Sequence, residues 1–300
     1  MPLAIAGSSG GMKGIFVQGV LNAFECGKLV ADAYAGSSAS ALPVISAAAG
    51  LCSFVGIQYW QRVLDLLHQP GRDLSWVMRQ VTNEWFDDED PFRKNLFKAR
   101  APRLFIAANF VRTVQAADQT QGKNARHLGR QLLVQAAHKC HEWVDNNLQL
   151  QLFDTQAKDD QLRLTPDNLS DVSFASTCMI QWELSAWVNG KPYVDASYTC
   201  VCPVNEMVAF GYTQVIAIAT DPGPLYRDIF ADQEIPSILK AVPIHIVRPD
   251  MNLKEIGVDY TTCTQEGLIA AFAHGLQKGN EFLATWAGDA PRQGIVRLAL

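Results

Sequence analysis

Residues 34–40 read Tyr-Ala-Gly-Ser-Ser-Ala-Ser, and no other stretch narrows the folds open to this chain as far. It follows a short apolar run and opens a helical run of small residues. That is the pattern of a serine held on a sharp strand-to-helix turn. Gly36, Ala39 and Ser40 surround Ser38, so the backbone can fold tightly and the strand and helix can pack closely. Such a turn lifts the Ser38 hydroxyl out of a sheet and aims the positive end of a helix at whatever the hydroxyl attacks. The usual pattern is G-x-S-x-G, and here Ser40 stands at its last position.

Two further segments add weight. Gly10-Gly11-Met12-Lys13-Gly14 lies between a strand-like run, Pro2 to Ala6, and a helical pattern, Ile15 to Phe24. Adjacent glycines at such a turn let N–H groups point outward, and the next helix adds its positive end. The turn suits an anion, either a bound phosphate or the oxyanion of an acyl-transfer intermediate, and it is equally the form of a glycine turn with no ligand. A P-loop is excluded by spacing, since Lys13 is followed by Gly14 and not by Ser or Thr. The other segment is Pro192-Tyr193-Val194-Asp195-Ala196-Ser197, which follows a hairpin pattern turning at Asn189-Gly190. Asp195 among apolar neighbours is expected at the end of a buried strand, where a carboxylate needs a partner; a lone Asp there is also a common cap or turn residue.

In order and neighbours, these segments resemble the patatin-like phospholipase family, with its G-G-x-[RK]-G loop, G-x-S-x-G elbow and distant D-G-[GA] motif. Phe174 to Met179 is similar to that family's A-S-x-A-x-P segment, and Val204 to Asp221 is similar to the helix and strand after its aspartate. Val247 through Leu283 resembles the closing strand and helix of bacterial members. The resemblance covers roughly 1–60, 100–113 and 165–285. It implies that Ser38 is a nucleophile, that Asp195 is its general base with no histidine between them, and that the Gly10 and Gly11 amides form an oxyanion hole. Lys13 would brace the loop, with Gly14 and Gly36 in supporting positions. The implied activity is lipid acyl hydrolysis on a phospholipid, lysophospholipid or other carboxylester, through an acyl-enzyme and at a membrane surface where the substrate lies there, with no cofactor and no metal. A catalytically degenerate lipid- or protein-binding domain is the alternative. It is suggested by Ser40 and by Ala196-Ser197, which replace glycines; Ala196 would be unfavourable if the backbone needed a positive φ there. Pro43 is expected to kink the helix after Ser38.

Composition agrees with an enzyme that buries a substantial core: 300 residues, 48% apolar and 18% charged. The net charge of −5 and the lack of a basic tract argue against nucleic acid and against charge-driven docking on an anionic bilayer. The N-terminus runs directly into the first strand, and the seven cysteines are scattered with no C-x-x-C pair. Together these predict a cytoplasmic protein with reduced thiols. Ala33 to Gln61 carries no charge, but its serines, glycines, Pro43 and Ala-rich apolar content favour a buried helix over a membrane span.

Strand-like runs at 2–6, 29–35, 103–109, 191–195, 214–220 and 242–248 alternate with helical patterns at 13–26, 38–50, 57–68, 126–147, 204–210 and 265–286. The expected fold is α/β: one domain over 1–300 with a mostly parallel central sheet between helix layers, and helical insertions at about 56–100 and 115–165. Asp88-Glu89-Asp90-Pro91 is read as a helix start. Trp60, Trp76, Trp85 and Phe86 either line an acyl pocket or form the aromatic core of the first insertion. His245 and His274 follow Asp195 and keep a Ser-His-Asp arrangement arithmetically open, but a strand interior and a helix face favour structural roles. His138 and His141 with Glu142 or Asp145 fit a solvated helix face better than a metal site.

Overall fold

The computed structural model describes residues 1–86, 91–182 and 186–289. The acidic cluster Asp87 to Asp90 lies outside the described residues. At the centre is a mixed sheet with nine described strands. Five of them form a parallel middle, in the order β3 (Arg103–Val111), β2 (Ala33–Ser37), β1 (Leu3–Gly7), β7 (Gln214–Ile218) and β9 (Val242–Val247). Antiparallel strands flank it: β4 (Leu148–Asp154), β5 (Ala186–Val188) and β6 (Lys191–Val194) on the β3 side, β8 (Ile238–Leu239) on the other.

Alternating residues separate the two faces. Ile5, Leu104, Ile106, Ile216 and Ile218 face one apolar cluster. It is filled by α1 (Gly14–Cys26), α2 (Ala41–Ala49), α10 (Leu169–Thr177) and the long α12 (Gln265–Asp289). Ala4, Ala6, Ala33, Ala35 and Ala217 face the other, where α11 (Val204–Ala209) packs. Burial on both faces explains why these strands read as continuous apolar runs.

After α3 (Cys52–Val55), the stretch read as the first insertion, about 56–100, contains α4 (Gln58–Leu67), α5 (Leu74–Trp85) and α6 (Pro91–Leu96). Asp73 caps α5 by accepting the Trp76 N–H at 2.8 Å. Its buried residues Trp60, Val63, Val77, Val81 and Phe92 belong to the same apolar cluster as α1 and α2. The second insertion departs from the helical expectation. After α7 (Val114–Gln119), the single pattern at 126–147 resolves into α8 (Gly122–Ala137) and α9 (Glu142–Asn147), with Lys139 between them at φ +56. The chain then returns to the sheet as β4, paired antiparallel to β3. Its alternating Gln149 and Gln151 made this strand read as polar insertion. The kink expected at Pro43 has no lost hydrogen bond behind it: the chain leaves β2 through a 3-10 turn, Ser38–Ser40, and Pro43 falls in the first turn of α2, where no intrahelical acceptor awaits its missing N–H. Among the described residues no helix is long and apolar enough to cross a membrane.

Candidate active site

Strand β3 determines what meets at the end of the parallel sheet. Along one edge it pairs with β2 as far as Ser37↔Ala107; two residues on it pairs with β6 at Asn109↔Val194. β4 occupies its other edge across both stretches. β2 runs parallel to β3 and β6 runs antiparallel, so the two strands approach head-on along one edge. Ser38 and Asp195, the next residue of each, turn off the sheet at the junction.

There the Ser38 hydroxyl donates to Asp195 Oδ2 at 2.6 Å, and the Ser197 N–H donates to Oδ1 at 2.7 Å. Ser38 has φ +53, an unfavourable conformation for a residue with a Cβ, and strain of this kind collects where a side chain must be held in one place. Its N–H is accepted by the Ser176 hydroxyl at 2.9 Å, from α10. Asp195 is fully buried beside Cys178 and Tyr198. Loss of water pushes its carboxyl up to about 6; the bonds from Ser197 and Ser38 pull the other way without cancelling it. Its backbone is fixed as well: the N–H donates to the Cys178 carbonyl at 2.8 Å, and the Asn109 amide donates to the carbonyls of Asp195 and Ala196 at 2.7 and 3.2 Å.

Ala196 and Ser197 enter a short 3-10 turn, Ala196–Tyr198, with neither at positive φ. The glycine conformation that would have disfavoured Ala196 is not used here. Gly36 and Gly14 allow close approach around the turn: a Cβ at Gly36 would lie 2.5 Å from Val44 Cγ2, and one at Gly14 would lie 2.7 Å from both the Ala39 carbonyl oxygen and the Trp60 ring.

The loop Ser8–Gly14 lies beside this junction. Gly11 has φ +57, and any Cβ there would overlap the Tyr260 carbonyl oxygen, which accepts the Met12 N–H at 3.0 Å. Among the described residues the N–H groups of Gly10 and Gly11 have no hydrogen-bond partner. Behind the loop Lys13, 2% exposed, donates to Asp221 at 2.6 Å and sits 4.3 Å from the Tyr260 ring centre; the Tyr260 hydroxyl bonds the same carboxylate at 3.2 Å. The Thr220 hydroxyl donates to the Ser9 carbonyl at 2.6 Å.

Beside Ser38 lies a space of about 10 Å³, lined by Leu42, Tyr59, Met78 and Phe86 with the hydroxyl residues Thr82, Ser173 and Thr177. This volume holds roughly one water. Of the four aromatic candidates, Phe86 alone lines it. Trp60 is core against Gly14, Trp85 packs on Tyr59 and Phe92, and Trp76 lies under the Arg72 guanidinium at 3.8 Å. A larger cleft of about 190 Å³ sits at the opposite end of β2, lined by Phe24, Val30, Ala47 and Pro102. The one carboxylate there, Glu25, is occupied with the Cys52 and Ser53 N–H groups. Its lining has no serine, threonine or cysteine, so its greater size does not make it the better candidate for acyl transfer.

Among the described residues no histidine bonds Ser38 or Asp195. His274 accepts the Asp250 N–H at 3.1 Å, and His245 packs edge-on to Trp286 at 4.8 Å. His141 packs on Phe230. Sequence reasoning assigned no role to Asn109, Ser176, Asp221 or Tyr260. The signal for Asn109 was present, since it is a lone amide within Phe105-Ile106-Ala107-Ala108-Asn109-Phe110, where a buried polar group must have partners.

No protein-family model and no curated protein matches the chain. Among solved structures, that of VipD from Legionella pneumophila aligns at 10% identity with a TM-score of 0.44, over 95% of this chain and 66% of that one. The chain thus spans just under two thirds of the VipD chain.

Proposed function

We propose that the chain is a lipid acyl hydrolase that works through a Ser38–Asp195 dyad. The carrying observation is the 2.6 Å contact between the Ser38 hydroxyl and a fully buried Asp195 carboxylate. Asp195 accepts the Ser38 proton as the hydroxyl attacks an ester carbonyl, and the N–H groups of Gly10 and Gly11 take up the negative charge on oxygen. The alcohol leaves with that proton. Water, deprotonated by the same carboxylate, then releases the acid from the acyl-enzyme. An ordinary aspartate is a poor base, and burial that pushes Asp195 up to about 6 brings its proton affinity nearer to what the step requires.

The lipid part of the reading is supported by the resemblance of three motifs to patatin-like phospholipases and by the mostly apolar walls near Ser38. With about 10 Å³ free, a long acyl chain does not fit this space unless the side chains lining it move. We assign all of this to a single domain, with α4, α5 and α10 forming the wall beside the site. The test combines p-nitrophenyl ester turnover with fluorophosphonate labelling of wild type, Ser38→Ala and Asp195→Asn. Turnover and labelling in wild type alone support the reading; equal turnover by all three removes it. A folded wild type that never labels would favour a binding domain.

A further inference from the structure

Ser40 occupies the position where the G-x-S-x-G pattern has glycine, and it is completely buried. Its hydroxyl donates a hydrogen bond to the Ser8 carbonyl. Ser8 is two residues ahead of Gly10, so this bond joins the turn carrying Ser38 directly to the loop carrying the unpartnered N–H groups. Ser8 is itself 1% exposed, and among the described residues its carbonyl has no other donor. Without Ser40 a buried acceptor would be left unpaired.

Room for this side chain comes from a second position. A Cβ at Gly7, the last residue of β1, would stand 2.6 Å from Ser40 Cβ and 2.8 Å from its Oγ. Gly7 pairs with Gly36 across β1 and β2, so the two strand ends sit together where the loop and the turn depart. The small residue that allows close packing is thus at the end of β1 and the side chain is on the turn. The other hydroxyl beside the nucleophile follows the same logic: Ser37 Oγ donates to the Cys200 carbonyl, joining the turn to the segment after Asp195.

We infer that Ser40 is a positioning residue that holds the Gly10–Gly11 loop in register with Ser38, and that this chain requires serine where the pattern has glycine. The inference rests on the hydrolase reading above. Its expected signature is a loss of turnover with little change in substrate binding, because the loop acts on charge that develops only in the transition state.

The test uses the full chain. Active sites are counted by fluorophosphonate labelling, and p-nitrophenyl butyrate turnover is then measured per labelled site for wild type, Ser40→Ala, Ser40→Gly and Ser40→Cys. The cysteine variant keeps the shape and loses the strong donor. All three are expected to show kcat about tenfold lower, KM within about twofold, and a pH midpoint unchanged because Asp195 is untouched. Gly7→Ala alone should lower the melting temperature, and Gly7→Ala with Ser40→Gly should match Ser40→Gly alone, because the clash is gone, without restoring kcat. Wild-type kcat per labelled site in the Ser40 variants, whether or not they are less stable, overturns the inference while leaving the hydrolase reading intact. A wild type that neither labels nor turns over substrate removes that reading and this inference with it.

Discussion

The junction at Ser38 and the wall above it are built in opposite ways. At the junction nearly every contact is a hydrogen bond to backbone. Ser37 bonds the Cys200 carbonyl, Ser40 the Ser8 carbonyl and Asn109 the Asp195 and Ala196 carbonyls, while Ser176 accepts the Ser38 N–H. Such bonds have narrow geometry and low tolerance for substitution. The wall is side-chain packing from α4, α5 and α10 around Leu42, Tyr59, Met78 and Phe86, tied outside by the ion pairs Arg62–Glu84 and Arg79–Asp171. Apolar packing of this kind accepts volume-conserving change. The difference separates reaction from substrate choice: changes at the junction should alter rate, and changes in the wall should alter which ester is accepted.

The hardest test removes the reacting groups. Ser38→Ala and Asp195→Asn are each expected to lower p-nitrophenyl butyrate turnover by about 10³-fold or more, with folding retained by circular dichroism. Substantial turnover in Asp195→Asn would mean that another group takes the proton, and the junction would lose its claimed role. The wild-type pH profile of kcat/KM should rise through about pH 6 and stay level above it, since only the ionised Asp195 accepts a proton.

The same carboxylate has a cost in stability. Its folded value of about 6 lies above the 3.8 of a solvated aspartate, so this group's contribution to stability is greatest below about pH 4, where Asp195 is protonated. That contribution is lost as pH rises through 6. Asp195→Asn removes this penalty, and chemical denaturation should find the variant more stable by up to about 3 kcal/mol at pH 8 and no more stable than wild type near pH 4. A variant less stable at both pH values would show that the carboxylate's hydrogen bonds outweigh its desolvation.

Asn109 is the next step down. Asn109→Ala leaves the Asp195 and Ala196 carbonyls without their buried donor, at about 1–3 kcal/mol in denaturation experiments. Activity per folded molecule should fall about tenfold as Asp195 loses its placement. A loss of stability with unchanged kcat would reduce Asn109 to a structural amide.

How much of this the sequence disclosed follows the same division. The turn at Ser38, the Gly10–Gly14 loop and the hairpin leading to Asp195 are local patterns. Their glycines and small residues are required by a few neighbouring atoms, so they are visible in a short window. The parallel middle of the sheet was legible because strands buried on both faces are apolar throughout. β4 was not, because its alternating glutamines face partly outward. Asn109 and Ser176 were missed because their partners lie 86 and 138 residues away, a distance that only the assembled sheet closes. Ala196 was weighed against a positive φ that its 3-10 turn does not use, and Pro43 against a helix begun at Ser38, whereas α2 begins at Ala41 after a 3-10 turn.

The wall should respond more gently. Met78 is nearly buried at the edge of the small space beside Ser38, and Met78→Ala enlarges that space. Relative to butyrate, longer p-nitrophenyl esters should gain a few-fold in kcat/KM, an effect of the size expected for one or two methylenes. An equal loss for all chain lengths would mean that the wall positions Ser38 and is not distinct from the junction.

The smallest effect belongs to the outer tie. Arg62 reaches from α4 to Glu84 on α5 with paired bonds of 2.8 Å, and both groups are partly exposed. Exposed pairs contribute about 0.2–1 kcal/mol, so Arg62→Ala should hardly move the melting temperature. If α5 must shift outward to admit an acyl chain, however, loosening its tie acts on the closed state alone. Longer esters should then gain up to about twofold while butyrate stays constant, and wild type in high salt, which screens the pair, should move in the same direction. A salt response in wild type that persists unchanged in Arg62→Ala would place the gate elsewhere and leave α5 a fixed part of the core.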